Sequence, residues 1–191
     1  MENTLKNLTM AFIGESMARN RYTFFSKVAK KEGYQQIAEI FLLTSDNERE
    51  HAETLWDLLN DLNSGNLNQL KIELDTPIIG GDTIANLQSA IAGEAHEYSE
   101  MYPEFARIAE EEGYADVSAR LMAIAIAEKH HHERYEKILE QLKKAAIFKK
   151  EKETHWVCRE CGYAHSGFEP PEKCPSCHHD RSYFQVKCEE Y

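Results

Sequence analysis

The chain has 191 residues, enough for one mid-sized domain and a small module beside it. Its 22 Lys and Arg against 33 Asp and Glu leave a net charge of −11, which argues against nucleic acid as a partner, since binding a polyanion needs clustered basic residues. No apolar run reaches the ~18 residues of a membrane span, and MENTLKNLTMAFIGES lacks the basic start and unbroken apolar core of a signal peptide, so no membrane association and a cytoplasmic address are expected.

Residues 1–147 contain no cysteine and read as helix throughout. Largely apolar residues recur in steps of three and four at Leu5, Leu8, Phe12, Tyr22 and Ala29, then at Ile37, Phe41, Thr44, Leu55, Leu58 and Leu62. A third stripe is Ile84, Leu87, Ile91, Met101, Phe105 and Ile108, and a fourth is Val117, Leu121, Ile124, Tyr135, Ile138 and Leu142. This period marks helices with one buried face. Short breaks at Lys31-Glu32-Gly33 and Glu112-Gly113 imply antiparallel hairpins, and the break over residues 63–82 is long enough to run the length of a bundle. The expected fold is mainly α: an antiparallel four-helix bundle with one long crossover.

The bundle carries an internal repeat. Lys31-Glu32-Gly33-Tyr34 matches Glu111-Glu112-Gly113-Tyr114 at an offset of 80, which also pairs Glu48 with Glu128, His51 with His131 and Tyr22 with Tyr102. Gly14-Glu15 matches Gly93-Glu94 at an offset of 79. A duplicated hairpin predicts a pseudo-symmetric site between its halves.

Acids interrupt every stripe on its core-facing side: Glu15 in the first, Glu48 with His51 in the second, Glu94 in the third, Glu128 with His131 in the fourth. Four ionised carboxylates facing one another inside a bundle are strongly unfavourable without compensating positive charge. Two divalent cations supply it, and residues three apart in Glu-x-x-His share a helix face. A Glu from each of two helices with Glu-x-x-His from the other two is a dinuclear carboxylate arrangement. Glu97 lies one turn beyond Glu94 with no acidic counterpart in the first half, and so reads as an additional ligand able to exchange as the metals change charge. Tyr22 and Tyr102 lie two turns from Glu15 and Glu94, where a phenol can donate to a ligand carboxylate or a bound oxygen species. Pro103 removes the amide that would bond Ser99 and so predicts a kink beside Glu97.

Phe148 to Thr154 is a charged stretch suited to a solvated linker, placing a boundary between a bundle over 1–147 and a tail over 148–191. The tail holds all five cysteines. Cys158-x-x-Cys161 and Cys174-x-x-Cys177 form paired knuckles whose thiolates converge on one ion, which spacing alone leaves as zinc or iron. Trp156, Tyr163 and Phe184 are available as its small core, and Cys188 remains as a free thiol.

With both modules in view, the chain resembles the rubrerythrin family over nearly its full length. The resemblance rests on Gly14-Glu15-Ser16-x-Ala18-Arg19-Asn20-Arg21-Tyr22, Glu48-Arg49-Glu50-His51-Ala52, Gly93-Glu94-x-x-Glu97-Tyr98-x-x-Met101-Tyr102-Pro103 and Glu128-x-x-His131. Cys158-x-x-Cys161-Gly162-Tyr163 and Cys174-Pro175-x-Cys177 look like a rubredoxin, except that His178 stands where a glycine is usual. The resemblance implies a ferritin-like bundle with two non-haem irons on Glu15, Glu48, His51, Glu94, Glu97, Glu128 and His131, and a tail with one iron on Cys158, Cys161, Cys174 and Cys177. It further implies a peroxidase that reduces hydrogen peroxide to water, with Glu97, Tyr22 and Tyr102 assisting. Electrons would come through the tail from a reductase or rubredoxin linked to NAD(P)H, in a homodimer where one subunit's tail serves the other's bundle. The rival readings are a ferroxidase that handles iron, and a sensor whose tail is a zinc ribbon.

Overall fold

The computed structural model describes residues 2–64, 70–73 and 80–189. The first stripe becomes α1 (Glu2–Lys31) and the second α2 (Gln35–Asn63). The third becomes one continuous rod of α3 (Thr83–His96), a π-helical turn (Glu97–Met101) and α4 (Tyr102–Glu111), and the fourth becomes α5 (Ala115–Lys143). These four rods are the expected bundle. Residues 65–69 and 74–79 of the long crossover, Pro77 among them, lie outside the described residues.

The duplicated turns close in the same way. Gly33 and Gly113 take φ of 83° and 88°. The amides of Tyr34 and Tyr114 reach back to Ala29 and Ala109 at 2.9 and 2.8 Å, so each turn satisfies the orphan carbonyls of the helix it ends. Each turn's glutamate also caps the opposite hairpin. Glu32 accepts the Thr83 amide at 3.1 Å, and Glu112 accepts the Thr4 amide at 3.0 Å. The repeat therefore ties its halves together through helix N-termini.

Two aspects of the third stripe differ from expectation. Ile84 is exposed, and Thr83 and Asn86 are buried in its place. The Asn86 side chain bonds the backbone of Gly81 through both its oxygen and its nitrogen at 3.1 Å, and this sets the rotation at which the helix starts. The kink expected from Pro103 appears as the π turn, in which the Tyr102 amide bonds the Glu97 carbonyl. Proline offers no amide to restore the ordinary spacing, and the wider turn absorbs that loss beside Glu97.

Two apolar clusters fill the bundle. Leu8, Leu55, Tyr102, Phe105 and Leu121 belong to one, and Tyr22, Phe25, Phe41, Leu87 and Tyr135 to the other. In sequence the buried acids of all four rods fall between these clusters, so the polar layer is clamped from both ends of the bundle.

The tail is a three-stranded antiparallel sheet in the order β2 (Ala164–Gly167), β1 (Thr154–Cys158), β3 (Phe184–Val186). Trp156 and Phe184 are fully buried against Cys158 and Cys174, with Tyr163 packed at the edge. The linker is not wholly solvated. Lys149 and residues 151–153 are exposed, but Phe148 stacks on Tyr34 with ring centroids 6.4 Å apart, and Lys150 bonds the Gln141 side chain at 2.8 Å. Arg159 pairs with Glu39, so the tail docks on the end of its own bundle near the start of α2.

His178 adopts φ of 62°, the left-handed conformation that Gly162 takes with φ of 77° in the first knuckle. Its amide bonds the Cys174 carbonyl at 2.9 Å, matching the Gly162 bond to Cys158 at the same distance. A residue with a Cβ in that region costs about 1 kcal/mol or slightly more. His178→Gly is therefore expected to stabilise the tail by about 1 kcal/mol, read as a raised denaturant midpoint for loss of the tail's visible absorbance; an unchanged midpoint would show the turn to be unstrained.

Candidate metal centre

Glu15, Glu48, Glu94 and Glu128 are each no more than 1% exposed, and His131 is 3% exposed. His51 and Glu97 are partly buried. The helices bring six of these residues into two overlapping groups. Glu15, Glu48, His51 and Glu128 form one, and Glu48, Glu94, Glu128 and His131 the other, with the donor atoms of each group within 4.8 Å of one another. Glu48 and Glu128 belong to both. His51 Nδ1 lies 3.0 Å from Glu48 Oε2 and 2.8 Å from Glu128 Oε1, while His131 Nδ1 lies 2.7 Å from Glu128 Oε2 and 3.4 Å from Glu48 Oε1. Two carboxylates shared between two imidazole-bearing groups is the layout of a bridged pair of cations, with Glu15 at one end and Glu94 at the other.

Hydrogen bonding within the protein leaves this cluster unsatisfied. Glu15 Oε2, Glu48 Oε1, Glu94 Oε2, both Glu128 carboxylate oxygens and His131 Nδ1 are buried without a well-directed hydrogen-bond partner. Buried polar atoms are almost always partnered. So many orphaned electron-pair donors in one place fit cations as the missing partners, and oxygen with imidazole nitrogen is a donor set that iron accepts.

Protonation behaviour without cations expresses the same tension. Burial, then the Glu128, Glu97 and Glu48 charges, hold the Glu15 carboxyl well above its ordinary value. Burial lifts Glu94 to about 8 despite the nearby His131 imidazole, which favours its anion. Burial would also lift Glu128, yet the closely approaching His131 and His51 imidazoles outweigh it and bring the group down to about 2. Burial opposes charge on His51 as well, but Glu128 and Glu48 raise it to about 9.

The tyrosines act across the repeat. The Tyr22 hydroxyl of the first half donates to Glu94 Oε1 of the second at 2.5 Å, and Tyr102 of the second half donates to Glu15 of the first. Each end carboxylate is thus oriented by a phenol from the opposite hairpin, and the pair also shows α1 to be antiparallel to the α3–α4 rod. Glu97 is the exception among the expected ligands: it joins neither donor group. It starts the π turn and lines a cavity between α1 and the rod. Burial and the Glu94, Glu128 and Glu48 charges raise its carboxyl well above the ordinary range.

In the tail the four cysteine sulfurs lie within 4.8 Å of one another, with Cys158 to Cys177 at 3.7 Å and Cys161 to Cys174 at 3.6 Å. Four sulfurs arranged tetrahedrally ~2.3 Å from one ion are separated by about 3.7–3.8 Å. The backbone amide of Tyr163 draws the Cys161 thiol down to about 6, so it is ready as a thiolate at neutral pH.

Some neighbours of the site are not evident from residue types. Arg21 lines the cavity beside Glu97 with its Nε buried and without an acceptor among the described residues, and the Tyr135 ring lies edge-on to Tyr22 at 5.7 Å.

Two family models match in register with these modules. The rubrerythrin model covers residues 6–139, and the model of the rubrerythrin rubredoxin-like domain covers residues 156–185. A protein of Methanocaldococcus jannaschii carrying the rubrerythrin name is 56% identical, over 100% of this chain and 96% of its own. The rubrerythrin of Nitratidesulfovibrio vulgaris is 46% identical, over 96% of this chain and 93% of its own. A solved structure of nigerythrin in a partially reduced state superposes with a TM-score of 0.65 at 33% identity, over 96% of this chain and 86% of that one. The cofactors are accordingly a di-iron site in the bundle and an iron on four cysteines in the tail. Identity at this level over nearly the whole chain, with a family model matching residues 6–139, makes the chain a member of the rubrerythrin family.

Proposed function

We propose that this chain is a cytoplasmic peroxidase that reduces hydrogen peroxide to two waters with two electrons and two protons, and so protects against oxidative stress. Glu15, Glu48, His51, Glu94, Glu128 and His131 hold the two irons, which when bound supply both electrons and Lewis acidity at the peroxide oxygens. Tyr22 and Tyr102 keep the end carboxylates Glu94 and Glu15 aligned. Glu97 lies beside the cluster rather than in it, its raised affinity for a proton suits it to deliver one to a peroxide oxygen, and it would be available as an additional ligand to the oxidised pair. The observation that carries the reading is the joining of a four-thiolate site, a one-electron carrier, to a bundle with a buried acid cluster: storage or oxidation of iron requires no attached carrier.

Electrons enter the tail from a reductase or rubredoxin ultimately supplied by NAD(P)H. Within one chain the tail docks at Glu39, nine residues before Glu48, or about 14 Å along the helix at 1.5 Å per residue. We therefore assign the transfer to a homodimer in which one subunit's tail serves the other's bundle. Exposed Leu42, Leu43 and Trp56 on α2 and Met122 and Ile126 on α5 offer the apolar surface such a dimer needs. The functional division falls between residues 147 and 148.

Mixing the diferrous protein with peroxide or with oxygen tests the reading: peroxide is expected to oxidise it much faster, and a faster reaction with oxygen would favour the ferroxidase alternative. Glu97→Ala is expected to retain two irons and lose about a hundredfold or more in peroxide turnover, the range typical of a lost proton donor. Full turnover in that variant would remove Glu97 from the mechanism.

A further inference from the structure

A cavity of about 600 Å³ runs between α1 and the α3–α4 rod. Hydrogen peroxide is little larger than water, whose share of liquid volume is about 30 Å³, so the cavity exceeds that substrate roughly twentyfold. It falls instead in the size range of pockets for organic molecules.

Its lining is polarised. The α1 wall is the stripe Met10, Gly14, Met17 and Arg21, and α1 runs antiparallel to the rod, with Tyr22 opposite Glu94 and Tyr102 opposite Glu15. Met10 therefore lies toward Met101 and Phe105, whereas Arg21 lies toward Gly93 and Glu97. The first end carries Met10, Met101 and Phe105 alongside the carboxylates Glu100 and Glu104, and its flexible, polarisable thioethers adapt to varied hydrocarbon shapes. The other carries a guanidinium whose Nε is unpartnered among the described residues and the carboxyl beside the metal cluster.

Gly14 and Gly93 hold this space open. Both lie inside helices, where glycine is about 1 kcal/mol less favourable than alanine. Tight packing does not explain them, because a methyl group built at either would meet nothing within 4 Å among the described residues. They occupy matching places in the repeat, each one residue before an acid of the cluster.

We propose that the cavity binds the organic group of a neutral alkyl or arylalkyl hydroperoxide, with its carbon skeleton along Met10, Met17, Met101 and Phe105 and its peroxy group at Arg21 and Glu97. The proposal rests on the peroxidase reading and extends its substrate class. R–O–OH takes two electrons from the di-iron pair and two protons; the O–O bond breaks, giving R–OH and one water. Arg21 donates to a peroxy oxygen. Glu73 and Glu100 offset Arg21 along the wall, and Glu104 there is already paired with Arg107, which disfavours fatty-acid hydroperoxides with an ionised carboxylate.

The test combines binding with turnover. In the full chain loaded with redox-inert zinc and labelled at the methionine methyls, 2-phenyl-2-propanol, the alcohol product of cumene hydroperoxide, is titrated by NMR. Saturable shifts are expected at Met10, Met17 and Met101 and none at Met122, which lies on α5 away from the cavity. Gly14→Leu is expected to weaken those shifts at least tenfold. In the iron-loaded enzyme it is expected to lower the kcat/KM ratio of cumene hydroperoxide to hydrogen peroxide by a similar factor. The double variant Gly14→Ala/Gly93→Ala, which favours helix and so protects folding, is expected to move both readouts in the same direction. Equal shifts at Met122, or turnover of hydrogen peroxide but not cumene hydroperoxide, would overturn the proposal alone; failure of the wild type with both peroxides would overturn the peroxidase reading beneath it.

Discussion

Removal of the bundle metals is expected to lower the melting temperature by about 20 °C or more. A ligand present at a thousandfold its Kd stabilises the folded state by about 4 kcal/mol, hence about 8 kcal/mol for two cations. For a chain of this size each kcal/mol corresponds to roughly 2–4 °C. The loss is also expected to depend on pH in a direction that the acid cluster dictates. Glu94 is raised from its ordinary 4.5 to about 8, and Glu15 and Glu97 are raised as well, so above pH 4.5 the folded apoprotein binds more protons than the unfolded chain. His51, raised from 6.5 to about 9, and His131, raised to about 12, add to that excess as the pH passes 6.5. Stability carried by raised groups is present below the unfolded pKa and is lost as the pH climbs through the folded one. Glu128, lowered to about 2, opposes this trend only in acid. The chelated protein should therefore melt at progressively lower temperature from pH 5.5 to 8.5. The metal-loaded protein should resist this decline, since protons compete with metal for the same atoms. Parallel melting curves for the two forms would mean that the cluster does not hold the cations.

Cys161→Ser is expected to reduce NADH-linked peroxide turnover roughly a hundredfold or more, beyond the 10–100-fold typical of losing a group that only supports a ligand. The serine hydroxyl remains protonated at neutral pH and is a hard donor, whereas the native Cys161 thiol is drawn down to about 6 and is already a thiolate. The bundle is untouched by this change, so chemically reduced variant should still consume one hydrogen peroxide per di-iron pair. Stopped-flow oxidation of the reduced variant and steady-state NADH consumption separate the two steps. Loss of both would place the defect in folding, and retention of both would remove the tail from the electron route.

The architecture was legible in the chain because a bundle helix repeats its buried face every three or four residues, and an acid on that face is conspicuous. Glu15, Glu48, Glu94 and Glu128 stood out in this way, and the structure buries all four. The CxxC pairs were equally plain, since four thiolates at that spacing can close on one ion. Spacing was silent on which metal they hold, and family resemblance supplied that.

Relations between helices were not legible. Helical phase places Tyr22 on the face of Glu15, but the side chain reaches across to Glu94 because the duplicated hairpins pack antiparallel and a phenol spans the gap between them. Phase likewise places Glu97 one turn from Glu94, as an additional ligand able to exchange, but does not give its position in the metal-free cluster. The π turn that begins there changes the helical rotation and leaves its carboxyl at a cavity wall, outside both donor groups. Linker composition suggested a free tether, while Phe148 stacks on a tyrosine 114 positions earlier, Tyr34. Residue order thus specifies which groups each rod turns inward, because that follows from a local period. Which groups meet across rods follows from packing angle and register, and these are set only when distant apolar faces close on one another.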